Sequence, residues 1–258
     1  MWKIRKSSLT QIGTCFTLIL GIVLVVISAF YVSSFLAIFG VGLFFWGAFL
    51  LYLKPTKYVP LTLLNASTFS PTSNIERILA ETNLTEKGRY LPPKYFKDLE
   101  SSIVFIPKQH GQSMPTPEEV KEEKLFFSNR AAVLITPPGL ALSKLFEKEL
   151  GTTFNTTDLY FVQRALPKLL VEDMELAETA DLQIQNDTVT LELSGSILFE
   201  TCRETRKLPR THAQVGCLIS SAVACVLAKA TGKIVTIQKD EQSSDGKTTR
   251  IEYHLEGE

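Results

Sequence analysis

From Ser7 to Leu53 the chain runs for 47 residues without one charged side chain. As a single helix this run would reach roughly 70 Å, against a bilayer core of about 30 Å, so its length predicts two spans rather than one. The break falls at Tyr31-Val32-Ser33-Ser34, giving spans near 9–31 and 35–53 and a transmembrane helical hairpin over residues 1–57. Trp2, Tyr52 and Tyr58 stand at its ends, where amphipathic rings favour the headgroup zone. Gly13, Gly21, Gly40 and Gly47 lie where small side chains would let the two helices approach.

After the hairpin the pattern changes period. Residues 58–100 read as a linker and a short helix: Lys54 to residue 75 is rich in Pro, Ser, Thr and Asn, and Asn74 is placed to cap a helix over 75–82. Residues 101–258 read as an α+β domain. Ser101 to Pro107 and Ala131 to Ile135 are apolar runs stopped by proline, as strands are. Thr116-Pro117-Glu118-Glu119 is a helix start, with a hydroxyl cap, proline at the first position and acids at the positive dipole end. Leu142, Leu145, Phe146 and Leu150 recur at helical spacing, and Gly151 ends that run. Leu159, Val162, Leu166 and Leu169 repeat the pattern after a Thr156 or Thr157 cap, with Pro167 set to kink or end the helix. Strands at 182–184 and 189–193 flank Asn186-Asp187, and 197–199 would extend the same sheet. A nearly all-apolar helix over 214–231 is too short to span a bilayer and is therefore a buried C-terminal helix. Gly216, Ser220, Ala224 and Ala228 thin one of its faces. A hairpin, 234–237 with 248–255 across Ser244-Asp245-Gly246, completes an antiparallel sheet.

Charge decides orientation. The 27 Lys+Arg balance the 27 Asp+Glu, but residues 1–57 hold five of the basic groups (Lys3, Arg5, Lys6, Lys54, Lys57) and none of the acids. Basic residues flank both ends of the hairpin and none sits in its turn, so the positive-inside rule places the N-terminus and the C-terminal domain in the cytoplasm. The competing sign is that Asn65, Asn83, Asn155 and Asn186 open N-x-S/T sequons, which would be glycosylation sites on an external domain. Residues 58–258 carry 22 basic and 27 acidic groups, a balance that argues against nucleic acid as a partner. With no charge inside either span, a proton or ion pathway is not expected.

Candidate chemistry is sparse. Cys202, His212, Cys217 and Cys225 are spaced C-x9-H-x4-C-x7-C, without the close pairs of a zinc site, so no metal centre is expected. Cys15 lies within the first span. Cys217, near a helix N-terminus, balances a dipole that favours its thiolate against apolar neighbours that oppose it. The bland reading makes it a small packing residue; the sharper one makes Cys217 redox-active or, with Cys202 and His212, a ligand-binding group. His110 falls in a Gly/Pro loop and His254 on the last strand; the acids of 172–175 read as a solvated face. No nucleophile elbow, phosphate loop or H-E-x-x-H motif occurs, so no catalytic residue is named and the cofactor is left open.

The order strand, loop, Cys217, small-residue helix, Thr231-Gly232-Lys233-Ile234-Val235 and a hairpin at Asp245-Gly246 resembles the 4-vinyl-reductase-like domain. That fold is shared with heme-nitric-oxide-binding domains and the small subunits of the transport particle. Such domains often carry two more cysteines in the last hairpin, where this chain has Gln242 and Thr249 or their neighbours. Tyr90-Leu91-Pro92-Pro93, Thr136-Pro137-Pro138-Gly139 and Leu145 to Leu150 also resemble uncharacterised archaeal two-span membrane proteins. The resemblance implies a membrane-anchored module that binds or senses a small apolar ligand. The alternative it implies is a non-enzymatic interaction scaffold, with a homodimer as the expected assembly.

Overall fold

The computed structural model describes residues 4–52, 61–93, 102–109, 111–121, 132–243 and 245–257. His110, Lys3, Lys54 and Lys57 lie outside these, and the side chains of Arg5, Lys6, Gly13, Cys15 and Asn65 are likewise not described. The chain divides into two units, Met1–Val59 and Pro60–Glu258, each treated by itself.

The first unit is a pair of helices, α1 (Ile4–Tyr31) and α2 (Ser34–Tyr52), joined through Val32 at φ +47°. Glycines mark where they touch. A Cβ on Gly21 would stand 2.6 Å from the Phe44 backbone nitrogen, and one on Gly40 would meet Val25 at 2.8 Å. Large apolar side chains such as Phe30, Phe35, Ile38 and Trp46 point outward, uncovered. Among the described residues one helical stretch, Pro209–Thr231, is long and apolar enough by length and composition to cross a membrane, but 83% of its apolar window is buried. The described apolar stretches of α1 and α2 are Phe16–Tyr31 and Ser34–Leu50.

The second unit is α+β. Its elements are α3 (Leu61–Thr82), β1 (Arg89–Leu91), β2 (Ile103–Pro107), α4 (Pro117–Lys121), β3 (Ala132–Ile135), α5 (Leu140–Leu150), α6 (Leu159–Lys168), β4 (Thr179–Gln185), β5 (Thr188–Ser194), α7 (Phe199–Arg206), α8 (Pro209–Val215), α9 (Leu218–Thr231), β6 (Ile234–Gln242) and β7 (Thr248–Glu256). The strands form one seven-stranded sheet in the order β3-β2-β1-β6-β7-β5-β4, every pair antiparallel. Along β5 and β7 the inward set Val189, Leu191, Leu193 and Ile251, Tyr253, Leu255 is buried while Glu192 and Arg250 face out. This is the period-2 signature of a sheet with one wet face. At the other end β2 and β3 are buried on both faces, because a small second cluster of Leu91, Phe105, Val120 and Leu134 covers the back.

Local chemistry explains most element ends. Thr116 N–H donates to Glu119 Oε2 (2.8 Å) and Glu119 N–H to Thr116 Oγ1, the reciprocal cap expected of that start. Gly151 takes φ +63° and ends α5. The exposed acids of 172–175 are solvated as expected. Asp158, not Thr156 or Thr157, caps α6, accepting from the Phe161 N–H at 2.7 Å; the Thr157 hydroxyl donates to the Phe154 carbonyl instead. Pro167 ends the α-ladder at Lys168, and a π turn, Leu169–Asp173, follows.

Three further expectations are corrected. The polar run before Asn74 is not a linker as far as residue 75: α3 already begins at Leu61, and Asn74 is interior to it. Hydroxyls that would compete with a helix instead donate back to its own carbonyls, Thr72 to Thr68 (2.7 Å) and Ser73 to Ser70 (2.9 Å), leaving the ladder intact. Residues 197–199 do not extend the sheet, because Gly195 at φ +60° turns the chain away and Phe199 opens α7. The expected helix over 214–231 is two helices. Gly216 at φ +79° breaks it, so Cys217 is the N-cap of α9 rather than a residue inside it. The face of α9 that meets the start of α5 is not the one thinned by Ser220, Ala224 and Ala228: a Cβ on Gly139 would strike the Ala222 backbone, and Gly139 N–H donates to Ser221 Oγ at 3.0 Å.

Candidate functional site

A cavity of about 490 Å³ opens between α3, the end of β3, α7 and the start of α9. Its apolar wall is Ile75, Ile78, Ile135, Pro137 and Leu218; its hydroxyls come from Thr72, Thr136, Thr201 and Thr205. The volume and the mixture suit a small, mostly apolar ligand with a few polar atoms. The Pro137-Pro138 turn fixes one rim, and the Gly216 break supplies another, packed so closely that a Cβ there would strike Ser220 Oγ at 2.5 Å and Ile237 at 2.7 Å.

Just behind that rim the three residues singled out by sequence come to different places. Cys202 on α7 and Cys217 at the cap of α9 meet, with their sulfurs 2.7 Å apart and both buried. Cys202 donates to Cys217, and the hydroxyl of Ser220 reaches the same Cys217 sulfur at 3.4 Å. The contact with Cys217, then burial, pushes the Cys202 thiol well up. Two tyrosines seal this region from the sheet side. Tyr90 donates to the Val215 carbonyl at 2.5 Å, and Tyr253 to the Ser220 carbonyl at 3.2 Å. Burial raises both phenols well above their ordinary range.

His212 on α8 does not join the sulfurs by a hydrogen bond. It belongs to a charged cluster with Arg206 of α7 and Asp240 of β6. Arg206 Nη2 donates to Asp240 Oδ1 at 2.9 Å, its Nε donates to His212 Nε2 at 3.3 Å, and its Nη1 donates to Gln242 Oε1. Asp240 Oδ2 has no hydrogen bond, and His212 Nε2 lies 3.5 Å from it. The Asp240 side chain is only 2% exposed. Burial pushes its carboxyl up, but His212 and Arg206 together outweigh that and hold it below the usual carboxylate range.

Sequence reading missed Asp240, and with it the partner of Arg206, because of the local course of β6. Strict alternation from Val235 and Ile237 would turn Lys239 inward. A bulge between Ile237 and Lys239 reverses the phase, so Asp240 and Gln242 face inward instead. Lys87 marks the irregularity, donating to the carbonyls of Ile237 (3.1 Å) and Gln238. The remaining candidates lie elsewhere. Cys225 sits on the far part of α9 near Ser102 and Ser143, its thiol pushed up to about 12 by burial despite hydrogen bonds from those hydroxyls. His254 pairs in register with Thr188 and Thr236 on the sheet. Among the described residues no group of three or more His, Cys, Asp or Glu could hold a metal ion.

A family model described as Domain of unknown function (DUF7982) matches residues 3–254. No curated protein and no solved structure matches the chain.

Proposed function

The chain belongs to the DUF7982 family, and we propose that it is a membrane-anchored module whose α+β domain binds a small apolar ligand in the cavity beside α9. The cavity of about 490 Å³ carries this reading, since it is walled by Ile75, Ile78, Ile135 and Leu218 and edged with threonine hydroxyls. The order β5, α7, α8, Cys217, α9, β6, β7 supports the likeness to the 4-vinyl-reductase-like fold. Native mass spectrometry of detergent-purified protein tests the ligand. The wild type is expected to retain an apolar molecule that Ile78→Trp, which fills the cavity, loses. An empty homodimer of wild-type protein overturns the reading in favour of a scaffold.

The helix pair is proposed as a two-span anchor with both ends cytoplasmic. Supporting it are the uncharged run from Ser7 to Leu53, the uncovered apolar side chains of α1 and α2, and the glycine contacts between them. On this topology, protease added to intact cells leaves the domain uncut, whereas in inverted membranes it is digested; cleavage in intact cells contradicts it.

A further inference from the structure

We propose that Cys202 and Cys217 are a redox-active dithiol, which a hydroperoxide arriving through the cavity converts to an intramolecular disulfide. This goes beyond ligand binding and uses the cavity only as a route. Three observations converge. The two sulfurs lie 2.7 Å apart, Cys202 on α7 and Cys217 at the N-cap of α9, so neither helix has to be redrawn for them to bond. Their chain neighbours Thr201, Gly216 and Leu218 line the cavity, which places the pair one residue behind its wall. The two sulfurs are also unlike. Cys202 donates its proton toward Cys217, and Cys217 caps the N-terminus of α9 with the Ser220 hydroxyl at 3.4 Å. Hydrogen bonds directed at one sulfur mark it as the attacking atom, while the raised Cys202 thiol keeps its proton until it is needed.

The step balances with the hydroperoxide as oxidant. The Cys217 sulfur attacks the terminal oxygen, an S–O bond forms and the O–O bond breaks, and the leaving oxygen takes the Cys217 thiol proton and departs as an alcohol, or as water from hydrogen peroxide. The Cys202 sulfur then attacks the resulting sulfenic acid, the S–S bond forms, and hydroxide departs as water with the Cys202 proton. Two thiols lose two electrons, and the hydroperoxide gains them. Cys225 has no share, because its buried thiol lies near Ser102 and Ser143 on another part of α9.

The test uses the full chain in detergent, reduced, freed of reductant and exposed to hydrogen peroxide or cumene hydroperoxide. Peptide mass mapping after alkylation is expected to give a Cys202–Cys217 linked pair lighter by two hydrogens and restored by dithiothreitol, with Cys225 still a free thiol. Cys202→Ser is expected to stop at a dimedone-reactive Cys217, and Cys217→Ser to abolish peroxide consumption at the pair; thermal melts confirm that both variants fold. Leu218→Trp, which narrows the route, is expected to slow cumene hydroperoxide more than hydrogen peroxide. No linked pair in the wild type, irreversible sulfinic acid at unlinked sulfurs, or equal slowing of both oxidants by Leu218→Trp overturns the proposal. A disulfide forming in protein that retains no apolar molecule upholds the dithiol while removing the ligand reading, and a retained molecule without a disulfide does the reverse.

Discussion

Arg206→Ala is expected to destabilise the soluble domain by roughly 4 kcal/mol, because removing one partner of a buried ion pair leaves the other charge uncompensated. Arg206 joins Asp240, His212 and Gln242 at once, and without it Asp240 Oδ1 loses its 2.9 Å donor while its side chain stays buried. Chemical denaturation followed by tryptophan-independent circular dichroism measures the loss. The double variant Arg206→Met/Asp240→Leu separates two explanations. If the cost comes from a stranded charge, the double variant recovers most of it; if it comes from lost packing, the double variant is as weak as the single. The same carboxylate sets an acid limit. Its pKa is lower in the folded domain than in the unfolded chain, so its contribution is complete above the unfolded value of about 3.9 and is lost as pH falls through the folded one. Asp240→Asn is therefore expected to lower stability at neutral pH and to flatten the acid limb of the stability profile. An acid limb that stays as steep in the Asn variant would assign it to other carboxylates.

Much of this domain is legible without coordinates, and the exceptions have a common cause. Strands β2, β3, β5 and β7 are set by apolar runs and alternation, and α4 and α5 by caps written in adjacent residues, Thr116 with Glu119 and Gly151. Each of these signals is local. The break before α9 turns on Gly216, whose left-handed φ is invisible among neighbours that all favour a buried helix. The phase of β6 turns on a bulge that only pairing with β7 defines. The cavity needs α3, which a polar composition disguises as a linker, to lie against residues more than a hundred positions later. Cys202, Cys217 and His212 could be nominated from their types, but which two would meet depended on those same long-range features.

Glu76→Ala is expected to remove about 3 kcal/mol of stability, since stranding a buried donor costs about 1–3 kcal/mol and this change strands more than one. Glu76 on α3 reaches across 135 positions to the start of α8. It accepts from Thr211 N–H at 2.7 Å and the Thr211 hydroxyl at 2.8 Å, and at 3.3 Å from Arg210 N–H. Thr211 is fully buried, so no water replaces the lost acceptor. Arg210 adds a second tie, donating to the Leu79 carbonyl at 3.1 Å. Ile75 and Ile78, which flank Glu76 on the same helix, form the cavity wall. Loosening α3 therefore opens the cavity as well as weakening the fold. The variant is expected to lose any retained apolar molecule in native mass spectra even at temperatures where circular dichroism reports a folded domain. Glu76→Gln, which keeps one oxygen to accept from Thr211, is expected to fall between Ala and wild type on both readouts. Should Glu76→Ala melt earlier yet hold its ligand as firmly as wild type, α3 would be a stabilising strap and not a wall of the site.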